Sequence, residues 1–73
     1  MNEILEIPVT NSSQVEKLKY NAKELILSVT FKTGKTYEYY NVPEIEWNGL
    51  TKAESVGKYL NTYVKGVYQF KAI

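Results

Sequence analysis

Residues 24–40 read Glu24-Leu25-Ile26-Leu27-Ser28-Val29-Thr30-Phe31-Lys32-Thr33-Gly34-Lys35-Thr36-Tyr37-Glu38-Tyr39-Tyr40, two alternating runs joined by a glycine-containing turn. Period-two alternation of apolar and polar residues is the mark of half-buried strands, whose successive side chains point to opposite faces. Leu25, Leu27, Val29 and Phe31 share one face, which is therefore the core face. Loop length then sets the register. A two-residue loop, Thr33-Gly34, places Val29 opposite Glu38 and so puts a charge on the core face. A three-residue loop, Lys32-Thr33-Gly34, with Gly34 left-handed in a bulge after a type I turn, places Phe31 opposite Lys35, Val29 opposite Tyr37 and Leu27 opposite Tyr39. The second register is the one expected.

Upstream, residues 14–20 alternate in the same way, and a four-residue loop over Asn21 to Glu24 pairs Tyr20 with Leu25 and Leu18 with Leu27. The expected core face carries Leu18, Tyr20, Leu25, Leu27, Val29, Tyr37 and Tyr39, and the other face is solvated. Ile4, Leu5, Ile7 and Val9 form a further apolar cluster that suits an edge strand, where Pro8 is tolerated because it has no amide proton to donate. Downstream, Pro43 with Glu44 and Glu46 marks a helix start, and a short helix is expected from about Pro43 to Leu50. Two signals for a second helix overlap: the capping box Thr51-Lys52-Ala53-Glu54, and Ser55 as an alternative N-cap. In either case Ala53, Val56, Leu60, Val64 and Val67 form one apolar stripe that ends near Gly66 and covers the sheet. The tail Val67-Tyr68-Gln69-Phe70 is apolar enough to pack back on the sheet. The expected fold is thus α+β, a three- to four-stranded antiparallel meander with one or two C-terminal helices on one face, in a single domain spanning residues 1–73.

Composition narrows the function. The chain has nine Lys and eight Glu, a net charge of +1, and no Cys, His, Asp or Arg. An ordinary zinc site, a Cys or Ser-His-Asp nucleophile and an imidazole switch are all excluded. Neither a cofactor nor a metal is expected, and no catalytic residue is assigned. A chain of this size hides only roughly 60% of its unfolded surface, so association into a homodimer is a reasonable way to bury more. No run approaches a membrane span and Met1-Asn2-Glu3 does not begin a secretory signal, so a reducing, cytoplasmic setting is expected. In that setting the sequon Asn11-Ser12-Ser13 carries little weight.

Several short motifs fall to their context. Gly34-Lys35-Thr36 lacks the first glycine of a phosphate loop, which would stand where Val29 is, and it leads into a strand. Ser55-Val56-Gly57-Lys58 and Lys32-Thr33-Gly34 imitate the motifs of penicillin-binding enzymes, but in reverse order and without a second domain to form a cleft. Glu44 and Glu46 point away from each other on a helix, so they act on the helix dipole rather than as an acid and base pair.

Binding features carry more. From Lys52 onward there are four Lys and one Glu, so the basic character lies at the C-terminal end. Lys58, Asn61, Lys65 and Tyr68 are the candidate nucleic-acid contacts, with bases stacking on aromatic rings and phosphates meeting lysines. Tyr37 and Tyr39 go to the core, whereas Tyr40 and Tyr68 are freer. Trp47 is either a core lid or an interface anchor, and Phe70 is a second candidate anchor for a protein partner. The lack of Arg removes the favoured bidentate contact to guanine and argues against sequence-specific duplex reading.

Ser12-Ser13, Tyr20, Tyr37-Glu38-Tyr39, Val42-Pro43, Ala53, Ser55, Gly57, Tyr59, Asn61 and Tyr68 together resemble the KTSC domain, a small module named for the C-terminus of some lysyl-tRNA synthetases. The family also occurs as stand-alone short proteins of bacteria and their phages. The resemblance implies a compact domain of unestablished function, with RNA as the ligand suggested by its place on synthetases. It implies no known catalytic residue. Leu60 stands where the pattern leads one to expect an aromatic, Asn21 where Asp is expected and Lys65 where Arg is expected, which weakens any Arg-dependent RNA contact. The leading expectation is a non-enzymatic module that binds RNA or another nucleic acid. The alternative is a protein-interaction or homo-oligomeric module, an accessory protein of a phage or prophage.

Overall fold

The computed structural model describes residues 4–10 and 13–73; Met1-Asn2-Glu3, and the Asn11 and Ser12 of the sequon and of the family resemblance, lie outside them. Five strands, β1 (Ile4–Pro8), β2 (Val15–Asn21), β3 (Ile26–Phe31), β4 (Thr36–Tyr39) and β5 (Phe70–Ala72), form one antiparallel meander in sequence order. The hairpin of residues 24–40 adopts the three-residue-loop register, with Val29 opposite Tyr37 and Leu27 opposite Tyr39. Gly34 takes φ +93°, a conformation that costs a side-chain-bearing residue, while the Phe31 amide donates to the Lys35 carbonyl at 2.8 Å and closes the turn.

The β2–β3 register departs from expectation by two residues. Tyr20 pairs with Leu27 and Leu18 with Val29, which preserves the faces because side chains alternate with period two. The turn explains the slip. Asn21 Oδ1 accepts from the amides of Lys23 and Glu24, and Leu25 takes φ +59°, so Leu25 leaves the strand and is exposed rather than part of the core. Val15 takes a place in the core instead. A bulge between Val15 and Lys17 turns it inward opposite Phe31, where it is fully buried.

The expectation of three to four strands was one short. After Gly66 at φ +80° the tail reverses and β5 pairs with β4, Phe70 opposite Tyr39 and Glu38 opposite Lys71. With three residues, β5 is too short for its periodicity to register in the sequence.

Helix α1 (Glu44–Lys52) begins after Pro43 and runs through Thr51, whose hydroxyl donates to the Asn48 carbonyl. The Thr51 capping box is therefore not used. Ser55 caps α2 (Val56–Tyr59) by accepting from the Lys58 amide. The helix continues as a π-helical turn over Leu60–Val64, where the Lys65 amide reaches back five residues to the Leu60 carbonyl at 2.8 Å. Val56, Leu60 and Val64 are buried and Ala53 is half-buried, but Val67 is exposed and does not continue the stripe, because the helix has ended.

Tyr20 lies at the centre of the core, fully buried, stacked on Trp47 at 5.4 Å with its hydroxyl donating to the Val42 carbonyl at 2.6 Å. Trp47 takes the core-lid position, 4% exposed as a residue. Among the described residues no helix is long and apolar enough to cross a membrane.

Candidate nucleic-acid interface

The helices leave part of the inner sheet face open where β3 ends and β4 and β5 pair. Phe31, Tyr37 and Phe70 line up there, each neighbouring pair edge to face, with centroids 5.6 Å apart for Phe31–Tyr37 and 5.7 Å for Tyr37–Phe70. Phe31 and Tyr37 are half-buried, while Phe70 is 58% exposed. The π-helical turn delivers Lys65 to this ledge, with its Nζ above the Phe31 ring at 5.5 Å. The β3–β4 turn brings Lys32 and Lys35 to the same cleft.

Together Phe31, Lys32, Lys35, Tyr37 and Lys65 line a cleft of about 470 Å³. A second cleft of about 290 Å³ shares Tyr37 and Lys65 and continues past Gly66 to Phe70, so the two form one groove. No carboxylate lines either part among the described residues. Three cations around an aromatic floor, with no acid among the described lining residues, suit an anionic ligand that has a flat face.

Of the residues expected to contact nucleic acid, only Lys65 belongs to this groove. Lys58 lines a separate cleft of about 310 Å³ with Glu54, Tyr59 and Tyr63. Asn61 is exposed on the π-helical turn. Tyr68 is half-buried, and its hydroxyl donates to Glu46 Oε2 at 3.1 Å. Tyr40, the other tyrosine read as free, donates to Glu38 Oε1. The groove also takes in Phe31, Lys32, Lys35 and Tyr37, none of which was expected from the sequence to contact nucleic acid. The expected register paired Phe31 with Lys35, but the reach of the helix over that end of the sheet is not visible in periodicity.

Glu46 proves to be more than a helix-start charge. Its carboxylate accepts from Tyr59 at 2.9 Å as well as from Tyr68, joining α1 to α2 and to the tail. Burial, then the bond and charge of Glu46, push the Tyr59 hydroxyl up to about 12 and raise that of Tyr68. The cluster holds elements together. Among the described residues no group of three or more acidic side chains is placed to hold a metal.

A short antiparallel meander with helices on one face and an aromatic, basic margin defines a small α+β domain. The chain belongs to the KTSC domain family, whose pattern matches residues 11–68. The crystal structure of a KTSC domain protein from Yersinia pestis superposes with a TM-score of 0.88 at 28% identity, covering 97% of this chain and 99% of that one. A protein of Tsukamurella paurometabola is 40% identical over 62 residues, which is 85% of this chain and 90% of that protein. A lysine–tRNA ligase of Nostoc punctiforme is 27% identical over 75 residues, and this chain spans only 13% of that enzyme's length. The family is one of unestablished function and is not a known catalytic family.

Proposed function

We propose that this domain is a non-enzymatic, cytoplasmic nucleic-acid-binding module whose ligand is RNA. The observation that carries the reading is the groove, where Lys32, Lys35 and Lys65 surround the Phe31–Tyr37 floor with no carboxylate among its described lining. Lysines act there as point charges toward phosphates, and with no Arg in the chain binding is salt-sensitive and tolerant of sequence. The occurrence of a similar segment within lysine–tRNA ligases, enzymes whose name states a tRNA, agrees with an RNA ligand.

Amide and side-chain resonances followed by NMR during addition of a twelve-nucleotide RNA test this reading. Shifts centred on Phe31, Lys32, Lys35, Tyr37 and Lys65 support it. Shifts confined to the Lys58–Tyr63 side, or none at millimolar RNA, reject the groove.

A second reading, a protein-interaction or self-association module, is favoured by the open edge of β5, where Phe70 and Ile73 are 58% and 71% exposed and Val67 is 62% exposed beside them. Sedimentation equilibrium over a hundredfold concentration range checks it. A dimer abolished by Phe70→Asp supports that reading, and a monomer throughout removes self-association.

A further inference from the structure

We infer that the groove takes single-stranded nucleic acid by stacking one base on the Phe31–Tyr37 ledge, with the Lys65 ammonium leaving the Phe31 ring for the phosphate beside that base. This rests on the nucleic-acid reading above and goes beyond it by naming the strandedness and the stacking ring.

Three observations converge. The Lys65 ammonium stands over the Phe31 ring, 5.5 Å from its centroid, so one face of a ring that also packs against the core is covered by a long lysine side chain that an incoming group can displace. The edge-to-face contacts of Tyr37 with Phe31 and with Phe70 fix the rings, and little order is lost when a base settles on them. The cleft of about 470 Å³ is of nucleotide size, and its three lysines face no described acid, so phosphate is the complementary charge.

The exchange at Phe31 is what favours a single strand. A stacked base covers the ring face that Lys65 now covers, and the displaced ammonium remains within the same groove, where a phosphate accepts it. A duplex keeps its base faces inside the helix and offers the groove only phosphates and edges. Without Arg, those contacts are point charges alone. The aromatic floor therefore adds affinity for a single strand and nothing for a duplex.

Fluorescence anisotropy with three labelled probes of equal length decides the matter: a single-stranded decaadenylate RNA, the duplex formed with its complement, and an abasic decamer with the same phosphates. The expected result is single-strand binding about tenfold tighter than abasic binding, with the duplex near the abasic value. Phe31→Leu, which keeps an apolar side chain but no π face, removes the difference between the single-stranded and abasic probes. Lys65→Ala weakens both. Equal affinity for single-stranded and abasic probes overturns the stacking inference while the RNA reading stands, and so does a duplex that binds as tightly as the single strand. Failure of every probe to bind overturns the RNA reading and this inference with it. The abasic comparison uses the unmodified chain, so it decides the question even if Phe31→Leu does not fold.

Discussion

The hydroxyl of Tyr59 donates a 2.9 Å hydrogen bond to Oε1 of Glu46, tying the second helix to the first across thirteen residues of chain. Tyr68 takes the other carboxylate oxygen, so one acid at the start of α1 secures two later elements. Glu46→Gln keeps an acceptor but loses the charge, and stability is expected to fall by about 1–2 kcal/mol at neutral pH, read as a lower urea midpoint.

The same cluster sets an alkaline limit. Burial first, and Glu46 second, raise Tyr59 from its ordinary value of 10.0 to about 12. The folded state therefore holds this proton more tightly than the unfolded chain. The resulting stability is fully present below the unfolded value near 10 and is lost as pH rises through about 12. Tyrosinate absorbance should show a late-titrating phenol that moves toward its ordinary value in Glu46→Gln, while the stability lost over that interval shrinks. An identical titration curve in the variant contradicts the assigned cause.

Gly49 lies inside α1, where alanine ordinarily favours a helix by about 1 kcal/mol. Here a methyl at that position overlaps the Tyr59 hydroxyl and comes within 3.0 Å of Tyr59 Cζ, while Tyr59 is held by Glu46 and packs on Tyr63 at 4.7 Å. Gly49→Ala is accordingly expected to destabilise the chain. In a Tyr59→Ala background the same change should stabilise it by about 1 kcal/mol. A double-mutant cycle by chemical denaturation measures the reversal, and simple additivity refutes the contact.

Tyr20→Phe retains the ring that stacks on Trp47 and removes only the hydroxyl that satisfies the Val42 carbonyl. That carbonyl is buried, so the cost is about 1–3 kcal/mol. In a domain of this size each kcal/mol lowers Tm by roughly 4–8 °C. Trp47 emission should remain that of a buried indole below the transition, because the stack survives. A red-shifted native spectrum would mean that the hydroxyl, not the packing, holds Trp47 in place.

Much of this arrangement was legible in the sequence because parity is a strong signal. Alternation fixed which side of each strand meets the core, and a charge placed on the wrong face rejected one hairpin loop, so the Leu27–Tyr39 pairing followed. Parity cannot detect a slip of two. The β2–β3 error came from Asn21, whose side chain builds the turn and lets Leu25 drop out of the strand. Nor does parity report a bulge, and Val15 reached the core through one. The groove was harder to see than the fold because it depends on where the helical layer stops. The π-helical turn, which puts Lys65 over Phe31, has no sequence signature beyond the four-residue spacing of Leu60 and Val64.

Gly34 is the point at which the deciding hairpin depends on backbone freedom alone. A Cβ there meets nothing within 4 Å, so any effect of Gly34→Ala comes from its φ of +93°. The substitution should cost about 1 kcal/mol with no change in the NMR pattern of the core, and Gly34→Asn should cost less because Asn tolerates positive φ better. Equal stability of all three forms would show that the turn relaxes to another conformation.

The basic groove also predicts a salt law that separates it from the charges read off the sequence. For single-stranded nucleic acid, log K falls with log salt by about 0.7 per phosphate neutralised. Lys32, Lys35 and Lys65 line the groove, so the unmodified chain should show a slope near −2 when each meets a phosphate. Replacing any one of the three with Ala should reduce the slope by about 0.7, and the three should act alike on any sequence of equal length. Lys58, in a separate cleft beside Glu54 and Tyr59, should leave the slope unchanged when replaced with Ala. Anisotropy titrations between 50 and 200 mM salt, roughly the range over which phosphate contacts respond, give the five slopes directly. A slope that drops for Lys58→Ala and holds for Lys32→Ala and Lys35→Ala would move the phosphate path to the opposite side of the second helix, where Lys58 and Asn61 were first expected to contact nucleic acid.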